Sequence, residues 1–178
     1  MSKHSEYLAF LGEHELRKRA SQRGLRSDVC DFIAQLTSEM DVQCVLEIGR
    51  AAGHSFGFFK FLWPQSYVVS IDINHAPVAD EVAALFDSAF LFVDGDSSSL
   101  KNIDAMFDVV LIDGDHSYKG CKKDWINIQP NVHPGSIVLF DDLGHGDGCG
   151  EVFYGLPYHR KVMLSDNNKP YFGAVYIQ

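Results

Sequence analysis

The chain has 178 residues, of which 46% are apolar and 22% charged, and its formal net charge is -9. This size and composition predict one globular domain with a single core, and the negative charge argues against a nucleic-acid partner. No run reaches the roughly 20 apolar residues needed to cross a bilayer, and the first residues lack the apolar core of a signal peptide. We therefore expect a cytoplasmic protein with reduced cysteines and no membrane partner.

Helical periodicity marks the N-terminal segment. Apolar residues at helix spacing predict helices over about Glu6 to Ala20 and about Asp28 to Met40. An apolar strand, Cys44–Ile48, then leads into a turn with glycines at positions 49 and 53, and a helix is predicted over His54–Leu62. Strand, glycine turn and helix is the arrangement that brings backbone close to a nucleotide.

Strands and helices alternate through the rest of the chain. Apolar strands separated by helices predict a parallel sheet that is covered on both faces. Two further strands flank a turn-rich stretch near the C-terminus and predict an antiparallel hairpin. The expected fold class is α/β, a Rossmann-like doubly wound sheet, mostly parallel, with an antiparallel C-terminal hairpin. The predicted strands are Tyr67–Ile71, Ala89–Val93, Val109–Ile112, Ser136–Phe140, Lys161–Leu164 and Ala174–Ile177, and the predicted helices are Val78–Phe86, Ser97–Ile103 and Tyr118–Ile128.

The glycine spacing indicates which nucleotide is bound. A dinucleotide fingerprint needs glycines where this chain has Ala51 and His54, which argues against a pyrophosphate. The pattern Glu47-x-Gly-x-x-x-Gly instead resembles motif I of the class I S-adenosylmethionine (SAM) methyltransferases. With the strings FVDGDS, FDVVLIDGDHSY and PGSIVLFDD further along, the chain resembles the subgroup of macrocin-type O-methyltransferases and cephalosporin-hydroxylase-like proteins. The resemblance implies one methyltransferase domain, with residues 1–42 as helices on the acceptor side and residues 43–178 as the core.

Several acidic residues fall at the carboxyl ends of strands, where open parallel sheets bind ligands. The Asp72 carboxylate suits a bidentate contact with both ribose hydroxyls, although a solvated loop or a helix cap would also explain it. Asp96 and Ser97 resemble the adenine-side contacts of the family, and they could also cap the following helix. The expected cofactor contacts are Glu47, Gly49, Arg50, Gly53, Ser55, Asp72, Ile73, Asp96, Ser97 and Asp113.

A second acidic group follows strands four and five. Like charges held this close favour a bound cation, and oxygen ligands suit Mg²⁺, or else Mn²⁺ or Ca²⁺. The resemblance to metal-dependent O-methyltransferases implies Asp113, Asp141 and Asp142 as ligands. His116 is the expected general base, with Asp115 as the second candidate. Ordinary helix capping and loop formation would also explain these acids.

The expected function is therefore SAM-dependent, divalent-metal-assisted O-methylation of a hydroxyl on a small molecule or sugar. Arg50 and Ala51 in the turn leave open a SAM-binding protein without transfer activity, and a nicotinamide-dependent oxidoreductase is a further alternative. We expect a small-molecule or glycan acceptor. The N-terminal helices, the Asp142–Gly150 loop with its His145, or a second subunit would recognise it. The aromatic-rich helix over His54–Leu62 favours a homodimer.

Overall fold

The computed structural model describes residues 1–21, 24–144, 148–157 and 160–178, which form alternating strands and helices. None of the helices in these ranges is long and apolar enough to span a bilayer. The helices are α1 Lys3–Glu13, α2 Arg17–Ala20, α3 Ser27–Leu36, α4 His54–Leu62, α5 Pro77–Ala83, α6 Tyr118–Ile128 and α7 Cys149–Gly155, with 3₁₀ helices at Ser97–Asn102 and Gln129–Asn131. The strands are β1 Cys44–Ile48, β2 Tyr67–Asp72, β3 Phe90–Asp94, β4 Phe107–Ile112, β5 Val132–Phe140, β6 Lys161–Asp166 and β7 Lys169–Tyr176.

The strands form one sheet in the order β3-β2-β1-β4-β5-β7-β6. Strands β1 to β5 are parallel, whereas β7 runs antiparallel to both β5 and β6. This arrangement confirms the predicted mostly parallel, doubly wound sheet with a C-terminal hairpin. The strand order reverses between β1 and β4, and that switch point is where such sheets open a crevice for ligands.

Two apolar cores cover the two faces of the sheet. Because side chains alternate along a strand, Val45 of β1 faces one core and Leu46 faces the other. Helices α1, α3 and α4 contribute to the first core, and α6 and α7 contribute to the second. Burial on both faces explains why the central strands are continuously apolar.

The aromatic residues of α4 belong to the first core. Phe56, Phe58 and Phe59 are each fully buried within the chain, packed among α1 and neighbouring strands. Burial inside the domain accounts for these three rings, whereas Phe61 is only partly buried, and the homodimer stays a prediction.

The N-terminal helix is shorter than predicted. Instead of one helix to Ala20, α1 ends at Glu13 and α2 begins at Arg17. Glu15 between them adopts a φ of 58°, which no helix interior accepts, and Leu16 N–H bonds back to the Leu11 carbonyl at 2.9 Å. The apolar periodicity runs through the break, so it gave no signal of this turn.

Helix α7 was not predicted, because Cys149–Gly155 has only seven residues and glycines at 148, 150 and 155. The hairpin is longer than predicted. Its two-residue turn places Asn167 and Asn168 at φ values of 48° and 61°, the conformation that tight hairpins require and that asparagine tolerates.

Gly49 holds the two strands at the switch point together. It adopts a φ of +100°, and a Cβ at this position would lie 2.0 Å from the backbone oxygen of Asp113, directly after β4. Its N–H also donates to the Ile71 carbonyl of β2 at 2.8 Å. Only a residue without a side chain allows β1, β2 and β4 to meet this closely at their carboxyl ends.

We predict that Gly49→Ala lowers the free energy of unfolding by at least about 2 kcal/mol, because backbone strain at positive φ adds to the overlap with Asp113. Urea unfolding followed by circular dichroism measures this change. Gly12→Ala in α1 is the matched control: a Cβ there meets nothing within 4 Å, so it should stabilise by up to about 1 kcal/mol. Equal stability of Gly49→Ala and the wild type would show that this close approach is not required.

Candidate functional site

A cavity of about 1110 Å³ lies at the carboxyl ends of β1, β2, β4 and β5, at the switch point. This is the position where open parallel sheets bind ligands, and the volume exceeds that of most single-ligand pockets. Ten of the fourteen predicted site residues line it: Gly49, Asp72, Ile73, Asp96, Ser97, Asp113, Asp115, His116, Asp141 and Asp142. The other four do not line it: Arg50 and Gly53 belong to the glycine turn, and Glu47 and Ser55 flank it.

Asp72 organises the end of the cavity beside the glycine turn. Its Oδ2 accepts a hydrogen bond from the Ala51 N–H at 2.8 Å, and its Oδ1 accepts one from the Asn74 N–H at 2.8 Å. A carboxylate has about four acceptor positions, so both oxygens keep capacity for ligand hydroxyls. Ala51 adopts a φ of 45°, which is the left-handed conformation that glycine would adopt more easily at this point.

Glu47 supports the turn from inside the protein. The carboxyl group is fully buried, and the hydroxyls of Ser55 and Ser70 both donate to it. Burial raises its pKa to about 7, because water no longer stabilises the charged form. Glu47 and Ser55 therefore shape the turn and do not face the cavity.

Arg50 points away from the cavity, contrary to the expected contact with the cofactor. Its guanidinium is buried, where it donates to the Ser70 carbonyl at 2.9 Å and to Asp94 at 2.9 Å and lies 4.3 Å above the Phe92 ring. These partners lie on β2 and β3, so the side chain anchors the turn to the sheet. Gly53 is the N-cap of α4 at a φ of 81°, packed against Ala79.

Asp96 caps the 3₁₀ helix that begins at Ser97, and both residues line the cavity. Asp96 forms an ion pair with Lys123 at 2.7 Å and accepts a hydrogen bond from the Ser98 N–H at 2.9 Å. These contacts lower the pKa of its carboxyl. Ser97 is buried and donates to Asp124 of α6 at 2.6 Å. Asp124 also lines the cavity, and sequence reasoning missed it because nothing marks it among the polar residues of that helix.

His116 lies between two carboxylates, at the end of the cavity opposite Asp72. Its Nδ1 is 2.6 Å from Asp142 Oδ2, and its Nε2 is 3.4 Å from Asp113 Oδ1. The hydrogen bond with Asp113 and the charge of Asp142 raise the pKa of His116 to about 9. Ligand atoms of Asp113, His116 and Asp142 all lie within 4.8 Å of one another, close enough to share a cation.

Four acids line this end of the cavity, and we call them the acidic rim: Asp113, Asp115, Asp141 and Asp142. Asp115 and Asp141 have different surroundings from the other two. Burial and the charge of Asp113 raise the pKa of Asp141 to about 7, and its Oδ1 accepts the Asp142 N–H at 2.9 Å. Among the residues that the structure describes, Asp141 is outside the group that could share a cation. Asp115 caps the turn before α6 by accepting the Ser117 N–H at 2.9 Å, which lowers its pKa and makes it a weaker base. His145 lies outside the described residues.

A family described as a methyltransferase domain matches residues 46–143, from the glycine turn to the acidic rim. The chain belongs to this methyltransferase family. The match confirms the predicted methyltransferase and disfavours the nicotinamide alternative. None of the curated proteins matches the chain.

Solved O-methyltransferase structures share the fold at low sequence identity. A proposed caffeoyl-CoA O-methyltransferase from Staphylococcus aureus has a TM-score of 0.73 at 20% identity, covering 97% of this chain and 99% of that one. The Bacillus cereus O-methyltransferase in complex with S-adenosylhomocysteine (SAH) has a TM-score of 0.69 at 15% identity, covering 96% and 90%. MycE methyltransferase of the mycinamycin pathway, in complex with Mg and SAH, has a TM-score of 0.62 at 19% identity, covering 92% and 53%.

We predict that Glu47→Gln removes a pH dependence of stability. Because the folded pKa of about 7 lies above the ordinary value of 4.5, the Glu47 contribution is fully present below about pH 4.5 and is lost as pH rises through 7. The variant should therefore gain on the order of 3 kcal/mol relative to the wild type between pH 4.5 and 8. Chemical unfolding of both proteins across this range measures the difference. A difference that stays constant with pH would contradict a buried carboxyl with a raised pKa.

Proposed function

We propose that this methyltransferase transfers the methyl group of SAM to a hydroxyl oxygen of a small-molecule or glycan acceptor. The observation that carries the proposal is one continuous cavity, lined at one end by Asp72 beside the glycine turn and at the other by the His116 cluster. Its volume of about 1110 Å³ leaves room for a cofactor and an acceptor together. The subgroup of macrocin-type and cephalosporin-hydroxylase-like proteins remains a proposal that rests on the sequence strings around the same residues.

The cofactor would bind with its ribose at Asp72 and its adenine between Ile73 and Ser97. Asp72 keeps acceptor capacity toward the cavity, and Ile73 is 74% exposed there, an apolar surface that a purine ring would cover. The B. cereus and MycE complexes, which contain SAH, support this choice of cofactor. Glu47, Arg50, Gly53 and Ser55 would act through the shape of the turn.

Transfer to a hydroxyl requires alignment of the oxygen with the methyl group and a place for the proton. The Nδ1 of His116 is held by Asp142 at 2.6 Å, which fixes the ring so that Nε2 faces Asp113. An imidazole held through one nitrogen can accept a proton at the other, as in other His–Asp pairs. We assign His116 as the proton acceptor and Asp142 as its positioning residue, with Asp115 held in its capping role. Because its pKa is raised to about 9, His116 would accept a proton only in its neutral form, whose population grows as pH rises toward 9.

A divalent cation fits the same cluster. The two carboxylates and one imidazole nitrogen within 4.8 Å are suitable donors, and Mg is present in MycE. Asp113 and Asp142 would hold the ion. The ion would lower the pKa of an acceptor hydroxyl bound to it. Asp141, with its raised pKa, would carry a proton part of the time near neutral pH and is the weaker ligand.

We predict that Asp72→Asn weakens SAM binding by about 10- to 100-fold, because a charged acceptor of ribose hydrogen bonds is lost. Isothermal titration calorimetry with SAM and SAH measures the loss. Asp80→Asn, which removes an exposed carboxylate that pairs with His75 outside the cavity, should bind like the wild type. Wild-type protein that binds NAD and not SAM would overturn the proposal. SAM binding without methyl transfer to any hydroxylated acceptor would support the non-transferring alternative.

We predict that Asp142→Asn abolishes stabilisation by Mg²⁺ or Mn²⁺, because it removes one charged ligand. Asparagine tolerates the φ of 54° at this position, so the backbone should be preserved. Thermal unfolding with and without the metal ion is the measurement, and Asp141→Asn is the neighbouring control that should keep most of the response. A lost response in Asp141→Asn and a normal one in Asp142→Asn would reverse the ligand assignment.

A further inference from the structure

One wall of the cavity is built from two segments that are distant in sequence. Gly24 and Arg26 precede α3, whereas Asn167, Lys169 and Tyr171 belong to the β6–β7 hairpin, and all five line the cavity. The Tyr171 hydroxyl joins the two segments by donating to Asp28 Oδ2 of α3 at 2.6 Å. We call Arg26, Lys169 and Tyr171 the cationic wall.

Arg26 is held in place yet still accessible. Its Nε and Nη2 donate to Asp28 at 3.1 and 3.0 Å, and its Cζ lies 4.1 Å above the Tyr171 ring. The side chain is nevertheless 55% exposed. A guanidinium has five N–H donors, so several remain for a ligand, in a fork that matches a carboxylate or phosphate. The aromatic ring and Asp28 fix the plane of this fork in advance.

Lys169 adds a second cation on the hairpin side. The residue is exposed and lines the cavity, and its ammonium forms no ion pair with any residue in the described ranges. Asp28 is already engaged by Arg26 and Tyr171, which leaves Asp166 as the other acid of this wall among the described residues. The two cations of the wall thus face two carboxylates, Asp28 and Asp166, which makes this wall less acidic than the rest of the cavity and leaves N–H donors of Arg26 and Lys169 for a ligand.

The rest of the cavity has the opposite charge. Asp72, Asp113, Asp141 and Asp142 line it, and the only cations near them in the described part of the chain are His116 and Lys123. An anionic group would therefore bind more favourably at the cationic wall than among these carboxylates. This asymmetry would orient a ligand that carries both an anionic group and a hydroxyl.

We propose, on the basis of the proposed O-methyl transfer, that the acceptor carries an anionic group, a carboxylate or a phosphate. Arg26 and Lys169 bind this group through charge-assisted hydrogen bonds, and the acceptor hydroxyl lies at His116. The cationic wall selects the substrate, and the acidic rim positions its reactive oxygen.

Equilibrium binding to the protein saturated with SAH tests the proposal without turnover. The probes are two matched pairs, 3,4-dihydroxybenzoate with its methyl ester and glucose 6-phosphate with glucose, so that the arms separate carboxylate from phosphate. The anionic member of at least one pair should bind about tenfold or more tightly than its neutral partner. Arg26→Gln and Lys169→Met should each reduce that preference to a few fold or less.

Arg160→Gln is the matched control. Arg160 stacks on Tyr176 at 3.9 Å, much as Arg26 stacks on Tyr171, but it does not line the cavity, so the variant should keep the full preference. Lys169→Met leaves the Arg26–Asp28–Tyr171 contacts intact. It therefore still tests the inference if Arg26→Gln fails to fold.

Similar affinities for both members of each pair, no binding of either anion, or a preference that survives in both variants would overturn this inference while leaving SAH binding intact. Failure of SAH itself to bind would overturn the proposed function as well.

Discussion

The backbone contact between Gly49 and Asp113 is the constraint on which the rest of the site depends. It brings the end of β1 against the end of β4, where a Cβ would lie 2.0 Å from a carbonyl oxygen. Because the strand order reverses between these two strands, the connections after them diverge and leave a crevice. The glycine turn is then fixed on its other side by Arg50, whose buried guanidinium bonds to Ser70 and Asp94.

Several acidic side chains lie close together at one edge of the sheet. Each has a different compensation: serine hydroxyls for Glu47, backbone N–H groups for Asp72, Lys123 for Asp96, and His116 for the Asp113–Asp142 pair. Glu47 and Asp96 have their partners within the protein, and Asp72 keeps acceptor capacity for ligand hydroxyls. The His116 cluster is the place where a cation or an acceptor hydroxyl would still alter the balance, which is why we place the chemistry there.

Local patterns predicted what is local in the fold. The glycine spacing gave the turn after β1, apolar runs gave the central strands, and acids at or just after strand ends gave six of the residues that line the cavity. The direction of the Arg50 side chain was not predictable, because its partners lie 20 and 44 residues away. Asp124, Arg26 and Tyr171 were missed for the same reason, since the fold alone brings α3, α6 and the hairpin to one cavity. The break at Glu15 depends on a single positive φ that apolar periodicity does not report.

A crystal structure of the chain with SAH tests the central claim most directly, that an adenosyl cofactor lies across the switch point between β1 and β4. The account predicts both ribose hydroxyls within hydrogen-bond distance of the Asp72 carboxylate and the sulfur directed toward Asp113 and His116. A ligand bound outside this cavity, or a ribose that makes no contact with Asp72, would contradict it.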